Sequence, residues 1–191
     1  RRGQVIYAAM NTPYETPDEP MPATETVTVT PDSDELIVEC PECGPRRTMT
    51  ITALTLTADG QLTETDKTLL RGYSPNLAIY NDYLVLASQN PHDWRSSLVQ
   101  SFLLTDPADP LIPLDTIQVP GRIPSEFHLH VKAQQLRVVY GPKDFEDGSH
   151  LAIFDLSSLT PTLLGKVEKI APGEDLFATR FVADRAFVVT Y

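Results

Sequence analysis

A segment of about fifty residues recurs along this 191-residue chain, and three glycines mark it. Gly72, Gly121 and Gly173 are spaced by 49 and 52 residues. An apolar run opens 22 or 23 residues before each glycine, at residues 50–57, 98–105 and 151–155. A fixed period of this length indicates a structural unit that stacks on its neighbours, so the repeat constrains the fold more than any other feature of the sequence.

Each repeat contains four short runs that are typical of β-strands. A turn rich in Asp, Pro, Gly and Ser follows each opening run, and a second run leads to the glycine. Two further apolar runs follow each glycine, at residues 76–80 and 83–87, 127–131 and 136–140, and 177–182 and 186–190. Four strands in about fifty residues indicate one blade of a β-propeller, with an open β-sandwich as the competing fold.

The polarity of the runs agrees with stacked blades. Residues 83–87 (YLVLA) are apolar throughout, as expected for a strand that is buried on both faces. Residues 165–170 (GKVEKI) are more polar and predict an outermost strand. The sequence therefore predicts an all-β chain that forms about three four-stranded blades of an incomplete ring.

The predicted limits of the units follow from the opening runs. Blade repeats are predicted at residues 48–96, 97–148 and 149–191, with the last one truncated, and residues 1–10 are predicted to end a preceding blade. Residues 11–47 are predicted to form an acidic insertion that includes a hairpin. Closed propellers have about four to eight blades, so we expect a protein partner or the remainder of the same propeller to complete the ring.

The charge distribution excludes one class of partner. The net charge is -11, and nine acidic residues with no Lys or Arg lie between positions 11 and 43. Nucleic-acid binding requires clustered Lys and Arg, so it is not expected here. No apolar run approaches the roughly 20 residues that cross a bilayer, so no transmembrane segment is predicted.

Three segments resemble a known family. Residues 171–191 (APGEDLFATRFVADRAFVVTY) are similar to the most recognisable motif of the secreted β-propeller proteins of bacteria and archaea, a family with a C-terminal propeller and no settled activity. Residues 127–138, which end in Leu136-Arg137-Val138, and residues 72–86 resemble two further segments of that family. The resemblance implies an extracytoplasmic location (secreted, periplasmic or cell-surface) and a binding or scaffolding role, and it supplies no catalytic residues.

Cys40 and Cys43 form the most suggestive local motif, Cys-Pro-Glu-Cys. A redox motif of this spacing needs a helix N-terminus or a cationic neighbour, and a structural zinc site needs four ligands. The motif instead follows a predicted strand among acidic residues. A local disulfide that closes the hairpin is therefore predicted, with two free thiols and a metal or redox role as the alternatives.

His128 and His130 are the candidate metal ligands. They lie at i and i+2, so in a strand both would project to one face, with Phe127, Leu129 and Val131 on the other. Two imidazoles with the Glu126 carboxylate could bind zinc or copper. The alternative is that the histidines line a blade face without a ligand, and this alternative is favoured.

The remaining candidates are acidic turns and one aromatic loop. Residues 144–148 and 32–34 offer oxygen ligands for Ca²⁺ but lack the full calcium-loop pattern, so the sequence predicts no cofactor and leaves Ca²⁺ or Zn²⁺ as the possible ions. Trp94 and Arg95 lie in a loop and are either a surface binding contact or a loop anchor. A non-enzymatic binding module is predicted, and a metal-binding protein or enzyme that uses the channel with His128 and His130 is the alternative.

Overall fold

The computed structural model of the chain describes residues 5–12, 48–71, 76–80, 82–90, 92–105, 111–142 and 147–191. For residues 5–12, 48–50 and 65–71 it describes the backbone alone. The predicted acidic insertion, its hairpin, and Cys40 and Cys43 lie outside the described residues. No helix in the described ranges is long and apolar enough to span a membrane.

The described residues form strands and one 3₁₀ turn, which confirms the predicted all-β propeller class. The strands are β1 (Val5–Thr12), β2 (Thr48–Leu56), β3 (Leu62–Arg71), β4 (Asn76–Tyr80), β5 (Tyr83–Gln89), β6 (Ser97–Leu103), β7 (Ile112–Pro113), β8 (Ile117–Val119), β9 (Leu129–Lys132), β10 (Gln135–Tyr140), β11 (Ser149–Asp155), β12 (Thr162–Ile170), β13 (Leu176–Val182) and β14 (Arg185–Thr190). The 3₁₀ turn spans Glu126–His128.

These strands form four antiparallel sheets. Sheet A has the order β1-β2-β3, sheet C the order β12-β11-β10-β9, and sheet D pairs β13 with β14. Sheet B has the order β4-β5-β6-β7, and β8 also pairs with β6. Each sheet is built from strands that follow one another along the chain, as expected for propeller blades.

Two of the predicted limits differ from the sheets. The limits at 96/97 and 148/149 fall between β5 and β6 and between β10 and β11, which are paired neighbours within one sheet. The two strands after Gly72 and the two after Gly121 thus belong with the next opening run, about half a repeat out of phase with the prediction. In addition, β1 does not end a preceding blade but pairs with β2 along its whole length, from Val5 opposite Thr55 to Thr12 opposite Thr48.

The core lies between the sheets because the second strands of sheets B and C, β5 and β10, are largely buried on both faces. Tyr83, Val85 and Ala87 of β5 pack in a cluster with Leu136, Val138 and other residues of sheet C. The alternate residues Leu84 and Leu86 pack in a second cluster with Ile51 of sheet A. Side chains of a strand alternate between its faces, so a continuous apolar run joins a sheet to both of its neighbours.

The outer edge of sheet C is far more exposed. Strand β12 is exposed over most of its length. It lies at the end of the sheet order, which confirms that residues 165–170 belong to an outermost strand.

Candidate functional site

Several of the longer loops lie at one end of the molecule, which we call the loop end. It carries residues 90–96, which join β5 to β6, residues 120–128 and residues 171–175. The backbone N–H of Gly141, just after β10, donates to the carbonyl of Arg122 at 2.7 Å. The side chain of Asn76, at the start of β4, donates to the carbonyl of Ile123 at 3.0 Å. These bonds hold the ends of sheets B and C together beneath the loops.

The loop at residues 90–96 is fixed by hydrogen bonds to its own buried ends. Asn90 donates through its backbone to the Ser96 carbonyl at 3.0 Å and through its side chain to the Ser96 hydroxyl at 2.9 Å. Asp93 accepts from the backbone N–H of Arg95 at 3.1 Å. Both Asn90 and Ser96 are buried. The loop is therefore preorganised by the polar groups of Asn90 and Ser96. The sequence analysis missed their role, although Asn and Ser at the two ends of a loop are residues that often form such hydrogen bonds.

Trp94 is presented by this loop and does not anchor it. Its side chain is 64% exposed, and its backbone carbonyl accepts from the Gln89 side chain at 2.8 Å. The guanidinium carbon of Arg95 lies 4.9 Å from the centroid of the Trp94 ring, within range of a cation–π interaction. Since Asn90 and Ser96 fix the loop, the geometry leaves Trp94 available for contact with another molecule.

A second aromatic–arginine pair occurs at the loop end. Phe127, in the 3₁₀ turn, is exposed, and the guanidinium carbon of Arg180 from β13 lies 4.7 Å from its ring centroid. This pair connects the start of sheet C to sheet D. Phe127 was predicted to lie in a strand, and that prediction is wrong because the strand begins only at Leu129.

His128 and His130 have different surroundings. His128 ends the 3₁₀ turn, where its Nδ1 lies 2.9 Å from the Ser125 hydroxyl. His130 lies in β9, and its ring is stacked 5.1 Å from Phe181 and edge-on at 5.4 Å to Tyr80. The prediction that both project from one strand is wrong, because strand alternation does not extend to a residue in a 3₁₀ turn. The His130 ring instead joins the first strands of sheets B, C and D.

Burial is the main influence on both imidazoles. It lowers the pKa of His128, an effect that Arg180 reinforces and that the hydrogen bond from the ring to the Ser125 backbone carbonyl and the charge of Glu126 oppose. Burial also lowers the pKa of His130, and the cations Arg137 and Lys132 add to this effect. Burial therefore disfavours the charged form of both rings.

The predicted metal ligands do not form a recognisable cluster. Nε2 of His128 and Nδ1 of His130 are buried without a hydrogen-bond partner. Burial raises the pKa of Tyr80, and the charge of the nearby Glu126 adds to this effect; the same charge partly offsets the lowering of the His128 pKa. Across the described ranges, no three His, Cys, Asp or Glu side chains are grouped so that they could hold a metal ion. Metal binding by His128, His130 and Glu126 stays a prediction, and residues 32–34 and 143–146 lie outside the described part of the chain.

The lowered pKa values predict a loss of stability in acid. In the unfolded chain a histidine titrates near 6.5, whereas burial lowers the pKa of His128 and His130 in the folded chain. The unfolded state then binds more protons, so the stabilising contribution is complete above about pH 6.5 and is lost as the pH falls through the lower, folded values. Thermal unfolding between pH 7.5 and 4.5 should show a smaller acid-induced fall in Tm for the His128→Gln, His130→Gln double variant than for the wild type. The exposed His92→Gln variant is the control and should follow the wild type; equal pH dependence in all three proteins would contradict the prediction.

The stacked antiparallel sheets, with a core between them and loops gathered at one end, define a β-propeller. A family model described as "Beta propeller domain" matches residues 4–191. The chain therefore belongs to the β-propeller domain family. No curated protein matches the sequence.

Proposed function

We propose that the chain is a non-enzymatic binding module whose partner contacts the loop end through Trp94. The observation that carries the proposal is the exposure of Trp94, at 64%, on a loop fixed at both ends by buried polar residues. Trp and Arg are the residues most enriched at the energetic centres of protein interfaces. Fixing their backbone beforehand lowers the entropic cost of binding.

The second exposed pair supports the same surface. Phe127 lies at the loop end, in the 3₁₀ turn that precedes β9, and the guanidinium of Arg180 from β13 lies against its ring; both side chains are on the surface. Aromatic residues and Arg are enriched at protein interfaces relative to the rest of the surface. We therefore place the partner across the loops of sheets B and C.

A displayed library of random peptides, selected on the immobilised 191-residue chain, tests this proposal. Selected peptides should bind the Trp94→Ala variant about 30-fold more weakly than the wild type, since a hot-spot side chain contributes about 2 kcal/mol or more. Leu159→Ala is the matched control, because Leu159 is similarly exposed but lies in the turn after β11, at the opposite end of sheet C. Peptides that bind both variants as tightly as the wild type would place the binding surface elsewhere.

We also propose an extracytoplasmic location, with Cys40 and Cys43 oxidised to a disulfide. The support is the resemblance of residues 171–191 to secreted propeller proteins, together with the persistence of disulfides outside the cytoplasm. Thiol titration of the denatured, unreduced chain should find no free thiol, and titration after reduction should find two. Two free thiols without reduction would refute the disulfide.

A further inference from the structure

Arg122 is an exposed residue on a backbone segment that is fixed on both sides. The carbonyl of Gly121 accepts a hydrogen bond from the Ser97 hydroxyl at 2.8 Å, and the backbone N–H of Ile123 donates to the same hydroxyl at 3.1 Å. The carbonyl of Arg122 itself accepts from the backbone N–H of Gly141 at 2.7 Å. The Arg122 side chain therefore starts from a preorganised backbone.

The segment at residues 120–128 is joined to the loop that presents Trp94. That loop, at residues 90–96, ends directly before Ser97, whose hydroxyl forms the two bonds to the backbone on either side of Arg122. Sheet B packs against sheet A on one face and against sheet C on the other, so both side chains are exposed with the two neighbouring sheets in place. Trp94 and Arg122 therefore belong to one connected surface at the loop end.

The exposed charge of these two loops is positive, although the net charge of the chain is -11. Of their charged side chains, the two that are exposed are Arg95 and Arg122. Asp93 and Glu126 are half-buried, and Asp93 accepts a hydrogen bond from the backbone N–H of Arg95 at 3.1 Å. Among the described residues, the Arg122 guanidinium has no hydrogen-bond or ion-pair partner. It is therefore available to a negatively charged group of another molecule.

We propose that the partner of the loop end is an acidic peptide segment, in which Arg122 binds an Asp or Glu carboxylate and an adjacent apolar side chain packs on Trp94. The planar guanidinium matches a carboxylate with two parallel hydrogen bonds, and its fixed backbone lowers the entropic cost of forming them. The positive charge of Arg95, stacked on the Trp94 ring, favours the same partner. This inference rests on the proposed function, because it names the chemistry of the partner that Trp94 contacts.

The same observations disfavour a nucleic acid as the partner. Binding to a phosphate backbone depends on many Lys and Arg side chains that act together. The two loops offer two exposed arginines on a chain whose net charge is -11. A short segment with one or two carboxylates beside an apolar residue fits this surface better.

Peptide selection on the immobilised 191-residue chain tests the acidic partner. The random peptides are displayed with their C-termini fused to the carrier, so that only Asp and Glu side chains supply carboxylates. Selected peptides should be enriched in Asp and Glu relative to the starting library. A synthetic copy of a selected peptide should bind Arg122→Gln about tenfold more weakly than the wild type, because charge-assisted hydrogen bonds are lost.

Two further variants serve as controls. Arg185→Gln removes an exposed arginine at the start of β14, at the opposite end of the molecule, and should bind like the wild type. Arg122→Lys keeps the charge but not the planar fork, so it should bind more tightly than Arg122→Gln and less tightly than the wild type. Raising the NaCl concentration from about 50 to about 500 mM should weaken binding to the wild type more than binding to Arg122→Gln.

The outcomes separate this inference from the proposed function. Selected peptides that depend on Trp94 but carry no excess of carboxylates overturn the acidic partner alone, as do peptides that bind Arg122→Gln as tightly as the wild type. Peptides that are indifferent to Trp94→Ala overturn the proposed function and the inference with it. A library that yields no peptide for the wild type overturns both.

Discussion

Replacing Gly121 with alanine should destabilise the chain by about 3 kcal/mol, the upper part of the range for substitutions that overfill a packed site. A Cβ atom at this position would lie 2.1 Å from the backbone oxygen of Gly141 and 2.8 Å from the ring of Tyr140. The backbone oxygen of Gly141 cannot move alone, because the backbone N–H of the same residue donates a hydrogen bond to the Arg122 carbonyl. The carbonyl of Gly121 also accepts from the buried Ser97 hydroxyl at 2.8 Å. Any shift that relieves the overlap would therefore strain the contact between sheets B and C.

Urea unfolding followed by circular dichroism measures this effect. Gly165→Ala is the matched control, because no atom lies within 4 Å of a Cβ added there. That substitution should change the free energy of unfolding by less than about 1 kcal/mol, in the stabilising direction if alanine restricts the unfolded chain. A Gly121→Ala variant that is as stable as Gly165→Ala would show that sheets B and C separate at this point without cost.

Leu136→Ala should have a comparable effect, for a different reason. Leu136 is 0% exposed and packs in the cluster between sheets B and C. Truncation of a buried leucine costs about 2–5 kcal/mol, because it removes apolar contacts and leaves a cavity. Since the cluster joins two sheets, both should lose stability together, and the unfolding transition should stay single.

Leu163→Ala provides the comparison, since Leu163 is half exposed on the outer strand β12. It should cost less than about 1 kcal/mol. Hydrogen exchange of the Leu136→Ala variant would locate the loss: faster exchange confined to β9–β12, with sheet B unchanged, would contradict the joint effect of the substitution on sheets B and C.

The apolar runs of the sequence predicted the strands well because burial on both faces leaves a strong compositional signal. The run at residues 83–87 is such a case, and β5 begins at its first residue. Pairing was harder to predict. Nothing local indicates that β1 pairs with β2 across residues 13–47, or that β5 continues into β6 of the same sheet.

The marker glycines illustrate the same limit. At position 121 glycine is needed because the backbone of Gly141 approaches too closely for a Cβ atom. At position 173 there is space for a Cβ, with no atom within 4 Å, and glycine is favoured because φ is +83°. The two glycines are regularly spaced, but glycine is needed at each position for a different physical reason. Their spacing therefore predicted the length of the repeat and not the limits of the sheets.

The candidate site was predicted in part. Trp94 and Arg95 were singled out from their residue types and their binding role stays a prediction, whereas the hydrogen bond between Asn90 and Ser96 that fixes their loop depends on geometry that residue types do not show. The interpretation of His128 failed because a single 3₁₀ turn before β9 removes it from the alternation of the strand. Short irregular turns of this kind are set by tertiary contacts, here with β13 and β4.

The pairing of Thr12 with Thr48 has a consequence for how this protein can vary. The two residues face each other across adjacent strands, so the polypeptide leaves sheet A and returns to it at nearly one point. Whatever length of sequence connects them, the strands themselves need no rearrangement, and the entropic cost of a longer connection grows only logarithmically. This junction is therefore a natural position at which evolution, or a protein engineer, can add an entire folded module to the propeller.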